Sequence, residues 1–153
     1  MSLKEAISLV QVQKAYPPEQ IALRDVSLRI QSGEFVFVAG ASGAGKSTFL
    51  KLLYGEERAT GGDVSVLGSD LCQIGRADVL ALRRKIGIVF QDYKLLPTRT
   101  VIDNVALTLE VLGVNLEERR ESAMMLLNSV GLADRAESFP QRLSGGEQQR
   151  VAL

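Results

Sequence analysis

Gly40-Ala41-Ser42-Gly43-Ala44-Gly45-Lys46-Ser47 is the stretch on which the fold turns, and it matches the pattern G-x-x-x-x-G-K-[ST]. Its flanks give the match its meaning. Before it, Phe35-Val36-Phe37-Val38-Ala39 is an unbroken apolar run of strand length, which predicts a parallel strand covered on both faces. After it, Phe49, Leu50, Leu52 and Leu53 predict an apolar helix that Gly55 can close as a C-cap. A glycine-rich loop between a buried strand and a helix lets the backbone curl so that several N–H groups face one point. The helix N-terminus adds about half a positive charge there. Lys46 can neutralise terminal phosphates, and the Ser47 hydroxyl can ligate Mg²⁺, so a nucleoside triphosphate is the natural ligand. A flexible turn followed by a chance lysine would share this composition, but it would not need the strand and helix on either side.

Outward from the loop, the first third of the chain reads as half-buried antiparallel strands. Ile7, Leu9 and Val12 lie in a mostly alternating segment, Pro17-Pro18 marks a turn, and Val26, Leu28 and Ile30 alternate with polar residues. Thr60-Gly61-Gly62 turns into a short strand with Val64 and Val66, and a helix around residues 79–84 precedes a strand over 86–90. Beyond Gln91 the pattern becomes helical. Thr100 and Asp103 can cap a helix carrying Val101, Val105, Leu109 and Leu112 and stopped by Gly113, and Asn115 can cap the next, which ends at Gly131. The expected organisation is therefore a β subdomain with the phosphate-loop core over 1–91 and a helical subdomain over 92–142. In the remainder, 143–153, Leu143-Ser144-Gly145-Gly146-Glu147-Gln148-Gln149 is a helix start with Ser144 as N-cap and Glu147 reaching back. Its two glycines leave backbone N–H groups uncovered.

Composition narrows the function. The 153 residues, 46% hydrophobic and 24% charged, suit one globular domain. Eighteen Lys plus Arg balance eighteen Asp plus Glu, so no field of one sign exists to hold nucleic acid, and none is expected as a partner. The single cysteine, Cys72, cannot form an internal disulfide, which fits a reducing compartment. With no histidine, Ser-His-Asp and Cys-His pairs, His-ligated metals and an imidazole base are excluded. No apolar run approaches the roughly 18 to 20 residues that cross a bilayer, and Met1-Ser2-Leu3-Lys4-Glu5 does not resemble a secretory leader. A cytoplasmic chain without direct membrane insertion is expected.

The phosphate loop and the L-S-G-G segment together resemble the ABC-transporter ATPase family. The resemblance implies an α/β, P-loop ABC-type nucleotide-binding domain with an N-terminal antiparallel β subdomain, a partial parallel core sheet and a helical subdomain. In that family L-S-G-G-Q is the signature that binds the γ-phosphate of ATP held by the other subunit; here Glu147 stands where the pattern has Gln, and Gln148 follows. Tyr16 resembles the aromatic residue that stacks on adenine, and Gln91 resembles the Q-loop glutamine that contacts Mg²⁺ and the attacking water. Read alone, Tyr16 beside prolines is a packing residue and Gln91 a solvated strand end. The resemblance thus implies ATP and Mg²⁺ as ligands. It places ATP on Tyr16 and on Gly40, Ala41, Ser42, Gly43, Ala44, Gly45, Lys46, Ser47 and Thr48, and Mg²⁺ on Ser47 and Gln91. Catalytic roles fall to Gln91 and, acting on the other subunit's ATP, to Ser144, Gly145 and Gly146.

Gly33-Glu34-Phe35-Val36-Phe37, Gly43 through Thr48, Phe90-Gln91-Asp92, Arg99-Thr100-Val101 and the segment 143–151 are most similar to the FtsE-like, cell-division branch of the family. The lipoprotein-release and macrolide-export branches share similar blocks. The branch implies ATP-driven homodimerisation, an FtsX-like membrane permease partner docking near residues 91–112, and a cytoplasmic position on the inner face of the plasma membrane through that partner. One departure matters: the sequence stops at Leu153, where family members continue into the Walker B strand, its aspartate and adjacent catalytic glutamate, and the switch histidine. The expectation is a single C-terminally truncated domain over 1–153 that binds ATP without hydrolysing it alone. A non-hydrolysing nucleotide-binding or interaction module is the reading from another functional class.

Overall fold

Alternating apolar residues and a tight turn make the first two elements, β1 (Glu5–Tyr16) and β2 (Gln20–Gln31), an antiparallel hairpin. The computed structural model describes residues 4–153. Leu9 sits opposite Leu28, and Val12 opposite Val26. The three-residue step from Leu9 to Val12, odd for a strand of period two, is accommodated by a bulge. Gln11 takes φ 49° there and donates its N–H to Ser27 Oγ at 2.8 Å. The bulge returns Val12, and then Lys14, to the buried face. β3 (Gly61–Val66) pairs with the other edge of β1, and the two-residue β4 (Ser69–Asp70) pairs with β3, giving a four-stranded sheet of order β2-β1-β3-β4.

Phe49 and Leu52 of α1 (Lys46–Leu53) are buried in one core with Leu9, Val12, Val64 and Val66 of the sheet. This packing holds the glycine-rich loop at the N-terminal end of α1 against the strands. Arg83, at the end of α2 (Arg76–Arg83), donates to the Tyr54 and Gly55 carbonyls at 2.9 and 3.0 Å. It thereby places a cation on the carbonyl end of α1, where the helix dipole favours one.

The expected parallel core sheet requires a correction within the α/β class. Among the described residues every strand pair is antiparallel, and neither 35–39 nor 86–90 enters a ladder. An apolar run reports tolerance of burial, whereas a strand needs a neighbour's N–H and C=O groups, and no described strand supplies them here. Phe35 and Phe37 are each 84% exposed, and they meet edge to face with ring centroids 4.9 Å apart.

The chain divides into two compact units, one running to Gly87 and the other spanning Ile88–Leu153. In the second, Val101, Ile102 and Ala106 of α3 (Val101–Val111) pack with Ala123 and Leu127 of α4 (Leu116–Ser129) in one core. Thr100 caps α3 by accepting from the Asp103 N–H, and Asn115 caps α4 by accepting from the Glu118 N–H, as their spacing predicts. The chain returns over α3, whose Val101 and Ile102 N–H groups donate to the Ser138 and Ala136 carbonyls at 2.8 and 2.9 Å. Arg120 bridges Asp103 and Glu137, each at 2.7 Å. Two turns of 3-10 helix, Ala133–Arg135 and Pro140–Arg142, lead into α5 (Gly145–Val151).

Candidate functional site

The loop before α1 carries the most specific geometry in the first unit. Gly45 is the N-cap of α1 with φ 89°, a conformation that costs glycine little and other residues more. A Cβ there would also lie 2.3 Å from the Ala22 carbonyl oxygen of β2, so the loop presses directly on the sheet backbone. Gly43 has φ 80° but faces open space. Lys46 Nζ donates to the carbonyls of Gly40 and Ala41, both at 2.7 Å, and so folds back across the loop's entrance. The Ala44 N–H donates to the Ala41 carbonyl at 3.2 Å.

No side chain caps α1 and no acidic residue lies in its first turn, so the unsatisfied N–H groups at its start keep their positive character. Lys46 adds a full charge, and Ser47 and Ser42 are exposed beside it. Chemically, such an arrangement can hold an anion such as a polyphosphate. A hydroxyl such as Ser47 fits Mg²⁺, a hard cation that takes oxygen ligands and shares them with phosphates and water. Among the described residues no group of three or more His, Cys, Asp or Glu side chains forms a cage for a metal.

Tyr16, at the end of β1, is half-buried. Lys14, two residues earlier, reaches 4.8 Å from the centroid of its ring. Lys14 is buried and bound on two other sides, by Glu57 Oε2 at 2.7 Å and by the Arg58 carbonyl at 2.9 Å. Its hydrogen bond holds the Glu57 carboxyl below the ordinary carboxylate value against the opposing effect of desolvation, with a smaller contribution from Tyr16. Sequence reasoning missed Lys14; the available signal was a lysine two residues from an aromatic on one strand. A groove of about 330 Å³ lined by Leu23, Val26, Leu28, Phe37 and Phe49 reaches Gly45 and Lys46 from the apolar side of the loop.

The other expected site residues belong to the second unit. Gln91 is exposed, and next to it Asp92 pairs with Lys94 at 2.6 Å, which holds the Asp92 carboxyl below its ordinary value. Ser144 caps α5 with a full capping box. Its hydroxyl accepts from the Glu147 N–H at 3.4 Å, while its own N–H donates to Glu147 Oε2 at 2.7 Å. Gln148 Nε2 donates to the Pro140 and Leu143 carbonyls, and Leu143 and Val151 are buried. These contacts anchor α5 from one side. Gly145 and Gly146 stay exposed, and a Cβ on either would meet nothing within 4 Å.

The chain belongs to the ABC transporter family, whose model matches residues 23–153. The family binds ATP, typically with Mg²⁺, and hydrolyses it. Among its relatives, the chain is 48% identical over 147 residues to the cell division ATP-binding protein FtsE of Streptococcus pneumoniae serotype 2 (strain D39), covering 96% of this chain and 64% of that protein. It is 46% identical over 142 residues to FtsE of Escherichia coli (strain K12), covering 93% of this chain and 64% of that one. Among solved structures it resembles the ATP-binding cassette MJ0796, seen as a dimer in a post-hydrolysis state bound to ADP and Pi. That match has a TM-score of 0.87 and 37% identity, over 95% of this chain and 66% of that one. The chain thus spans about two-thirds of the length of these relatives. Among the described residues, no helix is long and apolar enough to cross a membrane.

Proposed function

We propose that this chain is the nucleotide-binding part of an FtsE-like ABC complex, taking MgATP on the loop between Gly40 and Thr48. The observation that carries this is the loop itself, where a left-handed Gly45 pressed on β2 opens α1 with no side-chain cap on its first N–H groups, and the Lys46 ammonium lies back on the Gly40 and Ala41 carbonyls. In this mechanism the N–H groups of the loop and of the first turn of α1 bind the phosphate oxygens. Lys46 exchanges its two carbonyl partners for the terminal phosphates, and the Ser47 hydroxyl would hold Mg²⁺. Bound Mg²⁺ supplies charge neutralisation on the phosphate oxygens. Tyr16 stacks on the base and orients the nucleotide from its other end. Ser144, Gly145 and Gly146 meet the phosphates of a second copy's nucleotide, a role that suits the open surface over both glycines.

The family resemblance, the cell-division names of the relatives and the dimeric solved structure together support the remaining parts of the proposal. These are ATP-driven pairing of two copies, an FtsX-like membrane permease as partner, a place on the inner face of the plasma membrane through that partner, and a role in cell division. Equilibrium dialysis with labelled ATP tests the binding function. Saturable, Mg²⁺-dependent binding that excess unlabelled ATP and inorganic triphosphate both displace is expected, whereas no saturable binding would overturn it.

A further inference from the structure

Lys14 is unusual in this chain: it is a charged residue only 8% exposed, with three contacts that converge on its ammonium. Glu57 and the Arg58 carbonyl, at 2.7 and 2.9 Å, hold it from the segment after α1, and the face of the Tyr16 ring lies 4.8 Å from it. The Glu57 N–H itself donates to the Lys51 carbonyl at 3.2 Å, so this segment hangs from the end of the helix that begins at the phosphate loop. A cation fixed over one face of a phenol ring leaves a base only the other face to stack on. It also draws the ring's π electrons toward itself, which makes that other face a better platform for an electron-rich base.

We propose that Lys14 is a positioning residue for nucleotide binding: clamped by Glu57 and the Arg58 carbonyl, it locks the Tyr16 ring and commits its opposite face to the base. The proposal rests on the stacking role of Tyr16 given above. Its consequence is that Lys14 governs affinity for the base and leaves affinity for the phosphates alone, although it touches neither.

The test compares ATP with inorganic triphosphate, which lacks a base, by calorimetry on the full chain and its Lys14→Met, Lys14→Arg and Tyr16→Ala variants. Lys14→Met should lower the ratio of ATP to triphosphate affinity by about 3- to 30-fold, Lys14→Arg should restore it, and Lys14→Met should add little to Tyr16→Ala. Because the chain has no tryptophan, Tyr16→Trp supplies a lone indole whose emission should change with ATP and not with triphosphate, and Lys14→Met should diminish that change. An unchanged ratio in Lys14→Met with a reduced ratio in Tyr16→Ala would overturn the role of Lys14 and leave the stacking role standing. An unchanged ratio in Tyr16→Ala would overturn the stacking role itself. Equal loss of both ligands in Lys14→Met would make Lys14 a support of the fold and overturn the proposal.

Discussion

Lys46 and Gly45 are neighbours with separable duties. The two carbonyls that Lys46 holds belong to an exposed loop, so those bonds add little to stability, and losing them should scarcely affect the fold. Losing the ammonium leaves phosphate charges without their counterion, which is worth about 1.5 to 3 kcal/mol. Lys46→Ala should therefore weaken MgATP binding by about 10- to 100-fold, with a melting temperature close to wild type, as calorimetry and thermal unfolding would show. Gly45 has the opposite role. Gly45→Ala combines a left-handed backbone with a Cβ 2.3 Å from the Ala22 oxygen, whereas Gly43→Ala has the same backbone cost and open space. Urea unfolding should find Gly43→Ala destabilised by about 1 kcal/mol and Gly45→Ala by clearly more, about 2 to 4 kcal/mol. Equal losses would mean that the loop does not press on β2.

At the scale of elements, α5 depends on its capping box, and the box depends on a charge. Hydrogen bonds from the Ser144 hydroxyl and N–H hold the Glu147 carboxyl below its ordinary value of 4.5. A carboxyl depressed in the folded state stabilises the fold above its unfolded pKa, and this contribution is lost as pH falls through the lower, folded value. Amide protection of α5, corrected for intrinsic exchange, should therefore be greater at pH 7 than near pH 3, and Glu147→Gln should flatten the difference. Equal protection at both pH values in the wild type would show that the cap does not need the charge.

This cap, like those at Thr100 and Asn115 and the loop before α1, was readable in the sequence because each is built by residues three to eight apart. The strands expected over 35–39 and 86–90 were not, since a ladder is made with residues far along the chain and apolar character alone names no partner. The three-residue step from Leu9 to Val12 hid the bulge, and with it the burial of Lys14 beside Tyr16. Gln91 and the L-S-G-G residues were assigned only by family resemblance, because an exposed glutamine and a pair of glycines carry no chemistry that is specific by itself.

At the scale of the whole molecule, apolar residues 35–38 stand exposed on a chain whose positive and negative charges balance, so little repulsion opposes association. Sedimentation should show concentration-dependent self-association that the double change Phe35→Ser, Phe37→Ser reduces. An unchanged profile would place the associating surface elsewhere. Nucleotide binding should persist in that variant, since neither ring contributes a polar group to the loop. The most direct test of that binding is an NMR titration of the amide-labelled chain with MgATP. The largest shifts should fall on the amides of Gly43, Gly45, Lys46, Ser47 and Thr48, with a second set at Tyr16, and Lys46→Ala should lose most of them at the same nucleotide concentration. Shifts centred outside this loop, or an undiminished response in Lys46→Ala, would contradict the assignment of the loop as the ATP site.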